Sequence, residues 1–505
     1  MTVERKNQES PPIPLRFGPR SQFDSLRNLL MSSGYTSESV CGRMGVSSIF
    51  ELETLREGPM TVEGIENAGD VLIWLFLGRE RLDREVAGRF LSESDLEMLG
   101  STGLIEAAPS GNDIQSTVLL YPVESVYIVS DLPINRSDGS IASFPDAVYP
   151  PLMASAGWYL AMMPRTPCEN FLEVCGGTGV AALLASNFAD RSYSVDITKR
   201  STVFAEFNAA LNGTPRFRAL QGDLYDPMSG ETFDRIVAHP PYMPATQESQ
   251  IFRDGGPDGE EITRRILRES IDYLRPGGQL FVTAILSDRR GAPVEARVRE
   301  MLGSAEDEFD VAVATIKGLH PIVHYGGELW KGTASAAEVE PQLAHLRTLG
   351  IERMLLCTVV VQRPPESRSV FTARREAGTQ CDASALQQWL KWEAKALDSD
   401  LDSWLAAAAP RFAADSELLV VHRMESESWQ PSALWLKAEN PFENQVGCGT
   451  WVAEFLRRCD GKRSAMSILD SMKEDGTVPM VTPVGEFTEM VSGLATGGYV
   501  QFEGL

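Results

Sequence analysis

Short apolar runs and helical repeats alternate through the middle of the chain. Apolar runs of strand length cover residues 171–174, 193–196, 217–220 and Phe233–Ala238. A stretch with apolar residues at helical spacing follows each of the first two runs. Strands that alternate with helices favour a parallel sheet with helices on its faces. The pattern therefore predicts an α/β, Rossmann-like core.

The segments on either side of this core carry other patterns. Before it, several helical repeats are followed by a strand–turn–strand pattern, an order typical of winged-helix domains. After Pro364 and Pro365, one helical stretch around 384–404 and two strands precede three helices and a terminal strand. A chain of 505 residues exceeds one ordinary domain. We predict a disordered tail at 1–20, a helical, winged-helix-like accessory domain at 21–144, an α/β domain at 145–363 and a C-terminal α+β, winged-helix-like accessory domain at 366–505.

The net charge limits the partners that the chain can bind. It is −24 at pH 7, with a sequence pI of about 4.7. Within residues 1–130, eleven Arg and Lys face nineteen Asp and Glu. A DNA-reading domain usually carries a basic stripe, and this segment has none in its sequence. The charge therefore disfavours DNA and favours substrate recognition or packing as the role of the N-terminal domain.

Composition also bears on location and metal binding. The sequence has no apolar run near the roughly 18 residues of a membrane span, and its N-terminus lacks an apolar signal core. The seven cysteines form no CxxC pair, so neither a zinc site nor a disulfide framework is predicted. His320, His324 and Tyr325 are weak metal candidates, and lining of a substrate pocket is favoured for them over metal binding. We expect a cytoplasmic protein with no metal and no membrane contact, and the sequence does not predict its oligomeric state.

The stretch from Phe171 to Gly179, FLEVCGGTG, predicts a ligand-facing turn. A strand that runs into a glycine-rich turn and then a helix forms this corner in doubly wound sheets. The glycine spacing is not G-x-G-x-x-G, and Glu173 stands before the turn. An acid at this point suits a cationic amino-acid ligand better than a pyrophosphate, which disfavours an NAD-type oxidoreductase. Asp196 follows about twenty residues later, where such folds place a ribose-binding carboxylate.

Five motifs in this order identify a family resemblance. LEVCGGTG, SVDI, QGDL, FDRIVAHPPY and LRPGGQLFV resemble class I S-adenosylmethionine-dependent methyltransferases. They are most similar to the small-domain branch with an (Asn/Asp)-Pro-Pro-Tyr motif, which includes release-factor glutamine and rRNA base N-methyltransferases. The resemblance covers about 150–363. It implies a seven-stranded Rossmann-like core and S-adenosyl-L-methionine as the cofactor.

The resemblance also implies which residues hold that cofactor. Glu173, Gly177 and Gly179 match positions that hold its methionine moiety, and Cys175 stands where the family usually has the first glycine. Asp196 matches the residue that binds the ribose hydroxyls. Asp223 matches the residue that meets the adenine amino group, and Leu224 the one that packs on the ring.

The catalytic tetrapeptide of the family reads His239-Pro240-Pro241-Tyr242 in this chain. In the family, the first residue and the first proline carbonyl accept hydrogen bonds from a planar NH₂, and the aromatic ring stacks on it. A neutral imidazole can also accept a hydrogen bond, and unlike an amide it can take a proton. His239 is therefore predicted to act as an acceptor or general base, and the alternative is that it only packs the loop. The Gly-rich segment 252–259 resembles the loop that shapes the substrate entrance in relatives.

These observations predict a methyltransferase that acts on a nitrogen or oxygen of a macromolecule, either a protein or peptide or an RNA. The acidic charge favours a protein or peptide. The alternatives are a small-metabolite methyltransferase and a catalytically silent, cofactor-binding scaffold. The C-terminal piece CDGKRSAMSIL weakly resembles PqqD-like winged-helix domains, which hold peptide substrates; packing or dimerisation is the alternative role for this region.

Overall fold

The computed structural model describes residues 10–54, 61–109, 111–132, 134–135, 141–142, 144–245, 250–316, 318–323, 335–413, 415–425 and 427–503. Its backbone contacts divide the chain into two compact units. The first comprises Met1–Leu160 and Arg165–Leu286, and the second comprises Ala161–Pro164 and Ser287–Leu505. We describe each unit by itself.

The first unit contains the helices α1 (Arg20–Ser32), α2 (Ser37–Met44), α3 (Ala68–Phe76), α4 (Arg84–Ala87), α5 (Glu93–Ser101), α6 (Ala154–Ala161), α7 (Val180–Ala185), α8 (Lys199–Asn212) and α9 (Glu261–Ser270). Local sequence signals explain several of their ends. The Thr36 side chain accepts a hydrogen bond from the Ser39 N–H and so caps α2. Gly213 ends α8 in the left-handed conformation that glycine adopts without cost.

Twelve strands also begin in the described part of this unit: β1 (Leu82–Asp83), β2 (Ile105–Ala107), β3 (Asp113–Ser116), β4 (Val118–Val123), β5 (Val126–Asp131), β6 (Ile134–Asn135), β7 (Ile141–Ala142), β8 (Cys168–Val174), β9 (Ala189–Asp196), β10 (Phe217–Gln221), β11 (Phe233–Ala238) and β12 (Leu274–Arg289). Strands β1, β3 and β2 form a small antiparallel sheet in that order. β4 pairs with β5, and β6 pairs with β7, as antiparallel hairpins.

The central sheet of the first unit is parallel. Its strand order is β10-β9-β8-β11-β12, and each neighbouring pair runs in the same direction. The chain therefore builds outward from β8 to β10 and then returns to add β11 on the other side of β8. Ligands bind beyond the carboxyl ends of the strands where the order reverses in this way. The carboxyl ends of β8 and β11 are therefore the expected ligand-binding position in this sheet.

One hydrophobic core joins the N-terminal helices to α8. Phe23 and Leu26 of α1 are buried with Phe204 and Phe207 of α8 in a single cluster. Residues 10–19, which the sequence assigned to a disordered tail, contain no helix or strand and pack against this core. Leu15 is buried among the same residues, and the Arg16 N–H donates to the Thr102 carbonyl at 3.0 Å.

The second unit contains the helices α10 (Val294–Met301), α11 (Ala336–Thr348), α12 (Ala383–Lys395), α13 (Leu401–Ala407), α14 (Thr450–Arg458), α15 (Ala465–Glu474) and α16 (Val484–Thr496). Its strands are β13 (Asp310–Thr315), β14 (Ile351–Gln362), β15 (Thr372–Ala377), β16 (Pro410–Phe412), β17 (Ser416–Glu425), β18 (Ser428–Ala438), β19 (Phe442–Cys448) and β20 (Val500–Phe502). β13 and β14, the last two of the seven core strands that the resemblance implied, pair antiparallel here.

A second core holds the C-terminal helices together. Phe455 of α14, Ile468 of α15 and Phe487 of α16 are fully buried in one cluster. The helix–helix–helix–strand order predicted for the C-terminus is present. β14, β13, β15, β19, β18 and β17 follow one another in the sheet order of this unit.

The prediction of an α/β fold with a large, mostly parallel central sheet is confirmed. The winged-helix likeness of the flanking domains and the three-domain boundaries stay predictions. Across the described residues, no helix combines the length and the apolar character needed to cross a membrane.

Candidate active site

The four predicted ligand-binding segments meet at one edge of the parallel sheet. β8, β9, β10 and β11 end at residues 174, 196, 221 and 238, and in a parallel sheet these carboxyl ends share one edge. The glycine-rich turn, Asp196, Asp223 and His239 lie at or directly after these ends. The topology thus brings together residues that are up to 66 positions apart in the sequence, from Glu173 to His239.

The glycine-rich turn packs too closely for side chains at two positions. A Cβ on Gly176 would lie 1.9 Å from the Ser194 Oγ, and Gly179 has a φ of +76° with the Phe217 ring 3.0 Å from its Cβ position. Gly177 has a φ of +53° and an open Cβ position. Cys175 adopts a φ of +57°, which is uncommon for a residue other than glycine. The turn therefore needs Gly176, a residue that the motif comparison did not single out.

The Glu173 carboxylate binds the start of α7, the helix that directly follows this turn. Its Oε1 accepts the Ala181 N–H at 3.2 Å and its Oε2 accepts the Ala182 N–H at 2.9 Å, so the carboxylate caps the start of α7. The Tyr159 O–H donates to Oε1 at 3.3 Å. Burial raises the pKa of Glu173 to about 7, although the two backbone N–H groups oppose that shift. The sequence pointed to Glu173 but not to these partners.

Asp196 connects the end of β9 to the glycine-rich turn. Its Oδ2 accepts the Gly177 N–H at 3.0 Å, and its Oδ1 accepts the Thr198 N–H at 3.0 Å. The side chain is half-buried, so the remaining lone pairs of the carboxylate can face a ligand at the sheet edge. One carboxylate therefore fixes the turn and stays accessible.

Asp223 forms an ion pair that the sequence did not predict. Arg265 of α9 donates to both of its carboxylate oxygens, at 3.1 Å each. The next residue, Leu224, is buried and has a φ of +49°. The bidentate pair orients the Asp223 carboxylate while 40% of that side chain stays exposed.

His239 packs against two tyrosine rings. Its ring centroid is 5.3 Å from that of Tyr159 in a stacked arrangement and 5.6 Å from that of Tyr242 in a tilted one. The Tyr242 O–H donates to the Ser155 Oγ at 3.3 Å. Because Tyr159 also contacts Glu173, helix α6 links the tetrapeptide to the turn. The sequence did not identify Tyr159 or Ser155 as site residues.

The imidazole has an unused polar atom. The Nε2 of His239 is buried and has no hydrogen-bond partner among the described residues. Burial lowers the pKa of His239 to about 4, because desolvation disfavours the imidazolium. The ring is therefore neutral at physiological pH. A buried, unpartnered nitrogen is costly unless a ligand supplies the missing hydrogen bond.

The Gly-rich segment after the tetrapeptide holds it in place. A Cβ on Gly255 would lie 2.8 Å from the Pro241 carbonyl oxygen, and a Cβ on Gly259 would lie 2.5 Å from that of Tyr242. The Gly255 N–H donates to the Met243 carbonyl at 2.9 Å. Only glycine permits this close approach, and Gly259 in addition has a φ of +78°. The segment fixes the position of Pro241 and Tyr242.

The histidines considered as metal candidates lie elsewhere. His320 is exposed, and its Nδ1 accepts the Ile322 N–H at 3.2 Å. His324 and Tyr325 lie outside the described residues. Within the part of the chain that the structure describes, no cluster of three His, Cys, Asp or Glu side chains is arranged to hold a metal ion.

Known proteins resemble the segment that contains this site. Residues 155–308 match the family model described as Methyltransferase small domain. A release factor glutamine methyltransferase from Moorella thermoacetica is 36% identical over 129 residues, which are 23% of this chain and 46% of that protein. A ribosomal protein uL3 glutamine methyltransferase from Bradyrhizobium diazoefficiens is 34% identical over 129 residues, 23% of this chain and 40% of that protein. A putative protein N5-glutamine methyltransferase from Methanocaldococcus jannaschii is 33% identical over 117 residues, 22% of this chain and 58% of that protein.

These matches confirm the resemblance to small-domain class I methyltransferases that the five motifs predicted. The chain spans about half the length of the relatives it matches. Among solved structures, a SAM-dependent methyltransferase from Agrobacterium tumefaciens overlaps with 50% of this chain and 71% of its own, at 17% identity and a TM-score of 0.29. That overlap is too loose to add to the strand order given above.

Proposed function

We propose that the chain is an S-adenosylmethionine-dependent methyltransferase that transfers a methyl group to a nitrogen or oxygen of a macromolecule. The observation that carries this proposal is the meeting of the glycine-rich turn, Asp196, Asp223 and His239 at one edge of the parallel sheet. The match of residues 155–308 to the methyltransferase small domain supports the same chemistry.

The residues present suit S-adenosyl-L-methionine. The open Cβ position of Gly177 allows close approach of a ligand, and the half-buried Asp196 offers a carboxylate to hydroxyl groups beside it. Asp223, held by Arg265, and the buried Leu224 are assigned to the adenine ring. The bound cofactor supplies an activated methyl group on a sulfonium. Since both Glu173 oxygens accept backbone N–H groups, we assign Glu173 to shaping the turn that receives the methionine moiety.

His239 receives the acceptor nucleophile in this proposal. Its neutral Nε2 accepts a hydrogen bond from an N–H or O–H group of the substrate, while Tyr242 offers a ring face to a planar group. The low pKa makes the imidazole a weak base, so we assign it to orientation of the nucleophile and not to proton abstraction. Alignment of nucleophile and methyl group is a large source of rate in such a displacement.

We propose a protein or peptide as the acceptor, in the cytoplasm. The names of the relatives describe glutamine methyltransferases of a release factor and of ribosomal protein uL3. A net charge of −24 also disfavours RNA. Incubation of the chain with methyl-tritiated cofactor and cell extract tests the proposal. The proposal is supported if protease treatment releases the label. Release by ribonuclease would instead indicate an RNA acceptor, and label in the small-molecule filtrate would indicate a metabolite. Incorporation into none of these fractions would indicate a silent scaffold.

Asp196→Ala is expected to weaken cofactor binding about 10- to 100-fold, because hydrogen bonds to a charged group contribute about 1.5–3 kcal/mol. Isothermal titration with S-adenosylmethionine measures this change. Asp190→Ala is the matched control, since Asp190 lies near the opposite end of β9 with 74% of its side chain exposed. Equal affinities in the two variants would remove Asp196 from the proposed cofactor site.

The pH dependence of turnover separates the two roles considered for His239. With a pKa near 4, the imidazole is neutral throughout pH 6–9. If the imidazole only accepts a hydrogen bond, the turnover rate should show no titration of His239 in this range and should fall only as the pH approaches 4. A rise of turnover centred between pH 6 and 7, which disappears in the His239→Gln variant, would instead indicate a general base.

A further inference from the structure

The hairpin of β17 and β18, which we call the β17–β18 arm, exposes apolar side chains on both faces. Leu418, Leu419, Val420 and Val421 follow one another on β17 and are 37–46% exposed. Successive side chains of a strand point to opposite faces, so neither face of β17 is covered. Trp429, just after the hairpin turn, is 64% exposed. Contiguous apolar surface of this kind marks an interaction site.

β17 is also the outermost strand of its sheet. β18 pairs with β17 on one side and with β19 on the other, through residues 434–438. The strand order ends at β17, so no described strand pairs with its outer edge. Alternate residues among the ten of this strand therefore present unpaired backbone N–H and C=O groups along that edge. A long, apolar edge is a template for another strand.

We propose that β17 pairs with β17 of a second copy of this chain, antiparallel and across a two-fold axis. In such an interface both chains contribute the same surface. The pairing joins the two free edges and covers the apolar side chains that flank them. It also makes one continuous sheet from the two arms.

The charge pattern of β17 selects one register. A two-fold axis perpendicular to the sheet leaves each side chain on the face that it already occupies. Residues that oppose each other across an antiparallel strand pair lie on the same face, so their numbers differ by an even count. The axis therefore passes between the two copies of one residue. An axis at Val420 sets Glu417 opposite Arg423 of the second copy, and does so twice because of the symmetry. It also sets Leu419 opposite Val421, so apolar residues meet apolar residues.

The neighbouring registers do not share this match. An axis at Val421 sets Glu417 opposite Glu425, which places like charges together twice. An axis at Leu419 sets Glu417 opposite Val421 and forms no charge pair between residues of β17 (Ser416–Glu425). Opposite charges directly across a strand pair stabilise it, and like charges destabilise it. A second copy is therefore the partner whose chemistry this strand matches.

Sedimentation velocity of the full chain over a range of concentrations tests the proposal. The wild-type chain is expected to form dimers. Arg423→Glu and Glu417→Arg each set like charges opposite one another in both pairs, and each is expected to raise the dimer dissociation constant about tenfold. An equimolar mixture of the two variants regains both opposite-charge pairs in a mixed dimer, so its dissociation constant is expected to return close to the wild-type value.

Arg457→Glu is the matched control, because it makes the same charge change on α14, where Arg457 is 68% exposed. It should leave the dimer unchanged. A wild-type chain that stays monomeric would overturn the proposal and leave the arm to a peptide or to a different protein. A dimer that tolerates Arg423→Glu, or variants that fail to recover on mixing, would equally overturn the Val420 register and with it this interface.

Discussion

His239→Phe is expected to lower the turnover rate about 100-fold, with cofactor affinity left close to the wild-type value. Phenylalanine keeps a ring between Tyr159 and Tyr242 but removes the buried Nε2. Loss of one preorganised polar contact to the reacting groups costs about 10²–10³ in turnover in well-studied enzymes. A single-turnover experiment with the tritiated methyl donor and the extract fraction that contains the acceptor measures the turnover rate. Calorimetry measures the cofactor affinity.

The matched variant for this experiment is His239→Gln, which lacks the ring but can offer a carbonyl oxygen at similar reach. It should retain more activity than the phenylalanine variant if the hydrogen-bond acceptor matters. If the phenylalanine variant keeps the wild-type rate and the glutamine variant does not, the ring packs the loop and the nitrogen takes no part in the reaction. That result would support the packing alternative predicted from the sequence.

Glu173→Ala is expected to lower the free energy of unfolding by about 2–4 kcal/mol, because two buried N–H groups lose their acceptor and each loss costs about 1–3 kcal/mol. Cofactor binding should fall with it, since the turn above Glu173 depends on that carboxylate. Chemical denaturation measures the change. Because the pKa of Glu173 in the folded chain, about 7, exceeds its ordinary value of 4.5, protonation of this carboxyl adds stability that is complete below pH 4.5 and is lost as the pH rises through 7. The cost of the two N–H groups that lose their acceptor in the alanine variant applies across this whole range. The alanine variant should lack this pH dependence.

Tyr159→Phe provides the control for Glu173→Ala. It removes one hydrogen bond of 3.3 Å to the same carboxylate and leaves both backbone N–H partners in place. It should therefore cost only about 1 kcal/mol. An alanine variant that is as stable as this control would show that the Glu173 carboxylate does not hold the turn.

Local signals in the sequence were enough to predict the parallel core. The strand at Phe233–Ala238 has the predicted bounds, and β8 and β9 include the predicted runs, because each is a short apolar segment next to a turn or helix signal. The order of the motifs then placed the ligand-binding residues after strand ends, where the topology brings them to one edge.

Elements held by distant partners were missed. β15 reads TARREA, which has no strand pattern, yet it pairs in parallel with β13. Its Arg374 contacts Asp288 at 2.8 Å, 86 positions away in the sequence. The helix predicted at 384–404 is two helices, α12 and α13. Lys395, the last residue of α12, forms ion pairs with Asp398 and Asp400 in the segment that joins them. α11 is a single helix that contains Pro341.

The predictions for the candidate site were limited in the same way. Sequence motifs pointed to Glu173, Asp223 and His239, but their partners Tyr159, Arg265 and the α7 N–H groups became visible only in three dimensions. Those partners change the interpretation of two residues. Glu173 supports the turn from below, and His239 is a buried neutral acceptor with a pKa near 4. Neither property follows from residue type or spacing, because both depend on desolvation by residues far apart in the chain.

Isothermal titration of the full chain with S-adenosylmethionine, and separately with its demethylated product, shows whether the chain has the proposed cofactor site. We expect both compounds to bind in the micromolar range, with one site per chain and weaker binding in Asp196→Ala. A folded chain that binds neither compound would overturn the proposed function, because the glycine-rich turn, Asp196 and Asp223 would then form a sheet edge without a cofactor.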